Sequence, residues 1–509
     1  MELGFNGKLY HHLPNPYVNS GELALEPIAY VALMPSGNSG ISYTGSKWRK
    51  IWNYFKVYRP IDVIRKSFSR SVSEKIRNDK WMVAGLGKTE KGLCWFFHPS
   101  AQNYQSFLAV SEQGILEVQP QDTLPKGWAN LADPERYQDL LKDLSFCFPT
   151  ISGKDQFPSS AQMHELKSLV QGQVFQEIGE AFPSKKEIQF NAKPKKGNGI
   201  FSVLFGYGNY ARTITLPYLN PHVRLAKIHE IDPALLLKPE VDAVSTSPLP
   251  DRDDFAYPVW LIAGFHHTHA GLAEMAINHG IIPVIEKPVA TNWEDYERVL
   301  KSLEEKKTPF YQCFQKRYQI FNDFIFEDLA VTKGEPINFK ATVFEIPLNE
   351  YHWYNWPVSG SRIISNGCHW IDHFLYINDY PDWTDLKVFQ PNPMELTIQI
   401  VLSNGAFGVI SLSDVGSNRI GMREYVEFTV SGKRAYIQDS MRYESESNSR
   451  ILRSYRTDKL AYLRKMYDEI GRSIQNKEKG DELKTLKSTK LSLELEDLIR
   501  LQLLKPNDI

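Results

Sequence analysis

The sequence predicts an α/β protein. A parallel sheet covered by helices comes first. A second α/β unit on a large, open, mostly antiparallel sheet follows, and a mainly β region precedes both. Three observations carry this. Between Ile200 and about Phe314, short apolar runs alternate with helical segments, the pattern of strands buried on both faces. From about Gln315 onward, six strand-like runs follow in series around one embedded helix. And 509 residues are too many for one ordinary domain.

Composition narrows the class. Hydrophobic residues make up 42% and charged residues 23%, as in a soluble globular protein. The net charge of -1 gives no reason to expect nucleic acid or an anionic membrane as a partner. Cys94, Cys147, Cys313 and Cys368 are scattered without a C-x-x-C pair, which argues against a disulfide framework and a thiolate zinc site. The start "MELGFNGKLYHHLPNP" lacks the basic-then-apolar order of a secretory signal, and no apolar run is long enough to span a bilayer. The expectation is a cytoplasmic protein of enzyme size, taking a small-molecule substrate.

In chain order, residues 1–190 read as an accessory, mainly β region. "LALEPIAYVALMPSGNSGISYTG" and "CWFFHPSAQNYQSFLAVSEQGILEVQP" look like strands and turns. "KWRKIWNYFKVYRPIDVIRKSFSRS" looks helical up to Pro60 and is basic. Its Lys47, Arg49, Lys50, Lys56, Arg59, Arg65, Lys66 and Arg70 interleave with Trp48, Trp52, Tyr54 and Phe55. That pattern reads as a solvated face with a buried aromatic stripe; its alternative is a seat for an anionic partner. Residues 134–181 lean helical. "NAKPKKGNG" (Asn191–Gly199) is a polar, Pro/Gly-rich linker, so the dinucleotide-type domain is placed at 197–315 and the open-sheet domain at 316–509. Within 197–315, "IFSVLFGYG", "VRLAKIHEID", "VWLIAGF" and "IIPVIEK" are strands, and "THAGLAEMAINHG" is a helix closed by a C′ glycine. Within 316–509 the strands are "PINFKATVFEIPL", "DLKVFQ", "MELTIQIVLS", "GAFGVISLSDV", "EYVEFTVSG" and "RAYIQDS", the embedded helix is "GCHWIDHFLYIND", and the tail is helical.

"VLFGYGNYAR" gives Gly206-x-Gly208-x-x-Ala211 between a strand and a helix, the context of a dinucleotide fingerprint and hence of a Rossmann domain. Gly206 permits the tight turn, Gly208 lets a pyrophosphate approach, and Ala211 keeps helix and strand close. Asn209, Tyr210 and Arg212 at the helix start complete the expected cofactor contacts. Glu230, ending the second strand, stands where an acid accepts from the adenosine ribose. A carboxylate there favours NAD(H) over NADP(H), against the pull of the cationic neighbours Lys227, His229 and Arg212.

"IIPVIEKPVATN" ends a buried strand on Glu286-Lys287-Pro288. Ligands of open parallel sheets sit at the carboxyl ends of strands. Lys287 there can hydrogen-bond a substrate oxygen and help a proton move during hydride transfer, or it can be a plain ion pair at a strand end. A cis Lys-Pro bond would re-aim the backbone at this corner.

At this point the sequence resembles the glucose-fructose oxidoreductase, inositol dehydrogenase and rhizopine-catabolism superfamily (Gfo/Idh/MocA). "GYGNYAR", "IAGFHHTHAGLAEMAINHG", "EKPVATN", "FQKRYQIFNDFI" and "SGSRIISNGCHWIDH" occur in that order over about Ile200 to Gln502. The resemblance implies a Rossmann domain followed by an open-sheet domain, and oxidation or reduction of sugars, inositols, sugar nucleotides and related molecules with NAD(H) or NADP(H). It implies that Lys287 contacts substrate and aids proton transfer, with Glu286 and Pro288 completing that signature. His269 matches a histidine beginning the helix after the third strand, with His266 in the loop before it. Arg317 matches a basic residue beyond the Rossmann domain. His369 and Asp372 match an H-x-x-D pair on the active-site floor; three apart on a helix, they share a face. Homo-oligomers through the open sheet are common in the family.

Two departures stand out. Ser365 occupies the place of the family's aspartate four residues before the histidine, and Gly264-Phe265 replaces Thr-Pro. His369 and His373 also stand one helical turn apart, which is metal-ligand spacing; the preferred reading is that His369 faces the site, His373 packs, and no metal is bound. The aromatic stretch "EYHWYNWPVSG" offers Trp356 as a stacking surface for a carbohydrate. Residues 1–190 resemble a remnant of the GroES-like half of a medium-chain alcohol dehydrogenase, lacking zinc ligands, and imply a role in binding or assembly with a protein partner. The function expected is hydride transfer to or from a sugar-like substrate, with Lys287 and His369 handling the proton. The alternatives are a noncatalytic dinucleotide-binding scaffold in a biosynthetic complex, and an imine or enone reductase of natural-product biosynthesis.

Overall fold

In the computed structural model, residues 52–65, 199–219, 221–230, 241–245, 250–348, 354, 359–392, 394–415 and 421–501 are described in full; residues 502–504 and the strands before residue 119 are described in backbone only.

The parallel sheet has six strands: β1 (Ile200–Phe205), β2 (Val223–His229), β3 (Ala243–Ser245), β4 (Val259–Ile262), β5 (Ile282–Ile285) and β6 (Tyr311–Gln312). Their order is 3-2-1-4-5-6, every pair parallel. This is the doubly wound order, with its crevice where the winding reverses between β1 and β4. The central strands are apolar because both faces are covered: Val203, Leu204, Val259 and Trp260 are fully buried. β3 and β6 were not legible in the sequence; at three and two residues they are too short to show a period.

After β1 the chain enters a π-helical turn, Ala211–Thr215, that runs into α1 (Leu216–Leu219). Helix α2 (His269–Asn278) is followed by Gly280 at φ +71°, as its C′ glycine predicted. Helix α3 (Trp293–Lys306) starts on Asn292, whose side chain accepts from the Asp295 amide. Apolar faces of α2 and α3 (Leu272, Ala276, Val299, Leu303) cover one side of the sheet against Phe205, Trp260 and Ile262.

The second sheet has eight strands: β7 (Asn338–Phe344), β8 (Trp383–Asn392), β9 (Glu395–Leu402), β10 (Phe407–Ser413), β11 (Arg423–Val430), β12 (Lys433–Gln438), β13 (Arg442–Ser447) and β14 (Arg450–Arg456). Their order is 8-9-10-7-11-12-13-14, antiparallel except for the β7–β10 pair. Alternate residues are buried in β9 and β10, so only one face is covered. That face packs on α4 (Phe321–Leu329), α5 (Cys368–Ile377) and α7 (Lys487–Leu504), around Phe339, Phe374, Ile398, Phe428 and Leu495. β13 and β14 were missed from sequence because "RYESESNSRILRSYR" is mostly polar and carries little alternation.

Helix α6 (Ala461–Gln475) crosses back to the parallel sheet. Its Leu463, Met466, Ile470 and Ile474 join Leu204, Ile214, Leu219 and Ile228 on the face opposite α2 and α3. Residues 52–65 join the same cluster through Val57, Tyr58 and Val63. The sequence placed an aromatic stripe inside this segment. Instead Trp52 and Phe55 are 64% and 41% exposed, and the buried side is aliphatic plus Tyr58. Pro60 resets the helix there, so the face that turns inward changes between 52–55 and 60–65. Before residue 119, the described strands form a four-stranded antiparallel sheet (His12–Pro14, Gly92–His98, Trp81–Thr89, Leu25–Pro35) and two two-stranded ones. The helix-leaning stretch at 134–181, most of the expected GroES-like unit and Trp356 lie outside the described residues. Among the described residues, no helix is long and apolar enough to cross a membrane.

Candidate active site

The glycine loop closes β1 at the crevice. Gly206 sits at φ +96°, and a Cβ there would lie 2.5 Å from the Ala263 carbonyl oxygen. Only glycine fits both the turn and the contact. At Gly208 a Cβ would meet nothing within 4 Å; the backbone borders open space, as a pyrophosphate cradle requires. Ala211 is buried, and Asn209 and Tyr210 are exposed at the helix start. Glu230 reaches back across the loop: its Oε2 accepts the Tyr207 amide at 2.6 Å. The acid is therefore held beside the glycines, where a ribose would be read. These residues fit a dinucleotide.

The three basic side chains near Glu230 are otherwise engaged. Lys227 Nζ lies 2.5 Å from Asp251 Oδ2 and 2.9 Å from Asp254 Oδ1. Burial opposes its charge, yet the two carboxylates hold its pKa above 10.5. His229 Nε2 faces Asp254 Oδ2 at 2.9 Å in the core. His229, Asp251 and Asp254 have donor atoms within 4.8 Å of one another, as a metal site would, but the Lys227 ammonium already lies against both carboxylates. The Arg212 guanidinium stacks 5.7 Å from the Tyr207 ring.

At the β5 end, the Lys287–Pro288 bond is cis. Lys287 Nζ donates to the Ser365 carbonyl at 2.7 Å and lies 5.6 Å from the Tyr354 ring centroid. Burial works against this ammonium, but Tyr354, Cys368 and Glu286 around it keep its pKa above the ordinary 10.5. Ser365 comes from a buried π-helical turn, Ile363–Gly367, at the head of α5. Thus the residue replacing the family aspartate holds the lysine through its backbone.

His369, one turn further along α5, is buried edge-on against Phe314 and Trp370. Its Nδ1 has no hydrogen-bond partner. Burial, then the charges of Lys287 and Lys316, push its pKa well below 6.5, so the ring is neutral. His266 lies in the turn before α2, 4.7 Å ring to ring from Tyr354, and burial and Lys287 likewise keep it neutral. The site thus joins the parallel sheet (Lys287, His266) to the second domain (Tyr354, Ser365, His369).

Other residues expected at the ligands are placed elsewhere. Asp372 is fully buried and its carboxylate is filled: Arg317 binds it through Nε at 3.0 Å and Nη2 at 2.5 Å, and Ser488 and Tyr380 donate at 2.6 and 3.3 Å. Sharing a helix side with His369 does not bring Asp372 to the site, because α5 is buried all round. Arg317, expected at the substrate, is spent on the same pair and on Asp481 at 3.4 Å. Together they pin the segment after β6 to α5 and α7. His373 packs between Phe339 and Phe428 and faces Asn322 Oδ1 at 2.9 Å. His269 turns its two nitrogens to the Pro288 and Gly264 carbonyls, at 2.8 and 3.2 Å, and so fastens the β4 end to the Lys287 corner.

Glu286 points away from Lys287's pocket, beneath the glycine loop. The hydroxyls of Tyr467 on α6 and Thr215 donate to its Oε1. Burial raises its carboxyl pKa from 4.5 to about 7. The Tyr467 hydroxyl also lies 3.4 Å from the Tyr210 hydroxyl. Sequence reasoning missed Tyr354, Tyr467 and the Ser365 carbonyl. Tyr354 stood in the aromatic stretch without any mark to choose it over Trp356. Tyr467 lies 181 positions from its partner, and a carbonyl leaves no trace in a sequence.

Comparisons with known proteins agree with this geometry. Residues 203–313 match the family model GFO_IDH_MocA, described as an oxidoreductase family with an NAD-binding Rossmann fold. Among solved structures, a putative oxidoreductase from Erwinia carotovora atroseptica SCRI1043 superposes with a TM-score of 0.50 at 14% identity, over 58% of this chain and 98% of its own. The WlbA dehydrogenase from Bordetella pertussis, in complex with NADH and UDP-GlcNAcA, gives 0.48 at 16%, over 60% and 97%. UDP-N-acetylglucosamine 3-dehydrogenase GnnA from Acidithiobacillus ferrooxidans gives 0.49 at 14%, over 60% and 100%. Curated proteins give no significant match. The fold order, the glycine loop and the family model converge on residues 203–313: this part of the chain is a Rossmann domain that matches the NAD-binding domain of the Gfo/Idh/MocA oxidoreductase family.

Proposed function

We propose that this oxidoreductase uses NAD(H) to interconvert an alcohol and a carbonyl on a polyhydroxylated, sugar-like substrate, with Lys287 and His369 managing the proton on the reacting oxygen. One observation carries the reading: two titratable groups converge on one site with their pKa values pushed apart, Lys287 upward and His369 downward. Such divergence is how a site separates its acid from its base. Lys287 stays charged and donates to the substrate oxygen. His369 stays neutral and accepts a proton. When bound, the nicotinamide supplies or receives the hydride. In oxidation, His369 takes the hydroxyl proton while the Lys287 ammonium stabilises the negative charge growing on oxygen. In reduction, Lys287 polarises the carbonyl.

Glu230 supports the NAD(H) preference. Its carboxylate would repel a 2′-phosphate, and the cations able to offset that are paired with Asp251 and Asp254 or stacked on Tyr207. The sugar-like class rests on the family resemblance and on Tyr354, whose ring faces the Lys287 ammonium and His266 at the mouth of the site.

The test pairs two readouts. The chain is offered NAD⁺ with a panel of free and nucleotide-linked sugars, and reduced cofactor is followed by fluorescence. Lys287→Ala should lower turnover by about 10²–10⁴-fold while NADH titrates as in the parent. Undiminished turnover would remove Lys287 from the chemistry. Saturable NADH binding with no turnover on any sugar, imine or enone would favour the scaffold reading.

A further inference from the structure

A cavity of about 230 Å³, sharing no lining residue with the Lys287 site, lies where residues 53–57 meet the ends of β11 to β14. It is lined by Asn53, Lys56, Arg423, Gln438, Arg442 and Arg456, with Asp439, Val57 and Met441 completing the wall. Four cations therefore face one carboxylate. Arg423 Nε binds Asp439 at 2.8 Å, which neutralises that pair and leaves Lys56, Arg442 and Arg456.

The register sets two of the remaining charges side by side on exposed positions. Arg442 on β13 stands directly opposite Arg456 on β14, and like charges at opposed positions destabilise a sheet. Two other arginines of this sheet are balanced: Arg434 pairs with Glu427 and Glu446, and Arg453 with Glu327 and Asp328. Arg442 and Arg456 make no such pair among the described residues, nor does Lys56, which lies 6.0 Å from the Trp52 ring. Two arginine forks, an ammonium and two side-chain amides around a recess match the oxygens of phosphate or carboxylate groups. The cavity also far exceeds the room one water needs.

We propose that this cavity is a binding site for a compact polyanion, a small phosphate-bearing or polycarboxylate molecule, distinct from the dinucleotide and substrate sites. Bound there, the anion bridges residues 53–57 to the edge of the second sheet and relieves the Arg442–Arg456 repulsion. The backbone already joins these parts, since the Lys459 amide donates to the Val57 carbonyl at 3.0 Å.

The full chain is melted thermally against sodium pyrophosphate and, separately, sodium citrate, at ionic strength matched with sodium chloride. Pyrophosphate could also settle in the glycine loop, so the titrations are repeated in Gly208→Trp. The expected result is a saturable rise in Tm that survives Gly208→Trp and weakens at least tenfold in affinity in the double variant Arg442→Gln/Arg456→Gln. The larger response tells which anion class the site takes. Without ligand, the double variant should melt at or above the parent temperature, because opposed charges have gone. NADH titration of the same variant confirms that it is folded; should it lose NADH binding, the exposed Lys56→Gln takes its place. No saturable shift with either anion, or a shift undiminished in the variants, overturns the proposal.

Discussion

Glu230 does two things with one carboxylate. One oxygen fixes the glycine loop through the Tyr207 amide, and in the function proposed above the carboxylate would also repel negative charge at the ribose position. The position was legible because a second strand ending in an acid after a glycine loop is a fixed relation along the chain. The fate of its neighbours was not. Lys227 and His229 read as rivals of Glu230 until Asp251 and Asp254, more than twenty residues further on, are seen to hold them. Glu230→Gln should therefore act on both cofactor and loop. A charge-assisted hydrogen bond contributes about 1.5–3 kcal/mol, so NADH affinity should fall roughly tenfold or more. NADPH affinity should fall less or rise, since the repulsion is removed. Parallel fluorescence titrations decide: equal losses for both cofactors would leave Glu230 as a loop brace only.

The β5 end and helix α6 meet at Glu286, and their contact makes stability depend on pH. The carboxyl titrates at 4.5 when free and near 7 when folded, because burial disfavours its charge. The folded protein thus binds more protons than the unfolded chain between those values, so stability falls as pH rises through that window. At about 1.36 kcal/mol per pH unit, the rise amounts to about 3 kcal/mol. Glu286→Gln keeps acceptors for Tyr467 and Thr215 but cannot ionise. It should gain on the parent by about that amount in urea unfolding at pH 8, and should match it near pH 4.5. A constant difference between the two at all pH values would show that Glu286 ionises freely. Helix α6 itself was legible from its apolar spacing, but not its destination. Amphipathicity says that a face is buried, not against which sheet. The same gap explains Asp372 and Arg317: their places along the chain say nothing of the buried ion pair that binds the two side chains to each other.

Across the whole molecule, the parallel sheet is closed by chain from three distant places. Its far face is covered by α1, by α6 from the C-terminal region and by residues 52–65 from the N-terminal region. Polar contacts reinforce the last of these. Asp62 accepts from the Tyr218 hydroxyl at 2.6 Å on α1 and from Arg464 at 3.4 Å on α6, and Arg65 lies 3.3 Å away. Pro, Gly and Lys content predicts a linker around residue 195. Composition cannot show that a segment more than a hundred residues earlier returns to the core. Two models follow for the N-terminal region. As a tethered module, it could lose Tyr58 with no effect on the Rossmann domain. As a part of that domain's core, it could not. Tyr58 is 8% exposed, stacked on Tyr54 at 5.2 Å, within the cluster that holds Leu463 and Leu216. Truncating a buried aromatic to alanine costs about 3–5 kcal/mol, and at this edge position about 3 kcal/mol is expected. Tyr58→Ala should therefore lower the urea midpoint at which NADH binding is lost, as well as the midpoint seen by intrinsic fluorescence. If NADH binding survives to the parent's midpoint while only part of the fluorescence change moves, residues 52–65 are a docked appendage. If both move together, the segment is a structural part of the cofactor domain, and removing the N-terminal region would cost the oxidoreductase its cofactor.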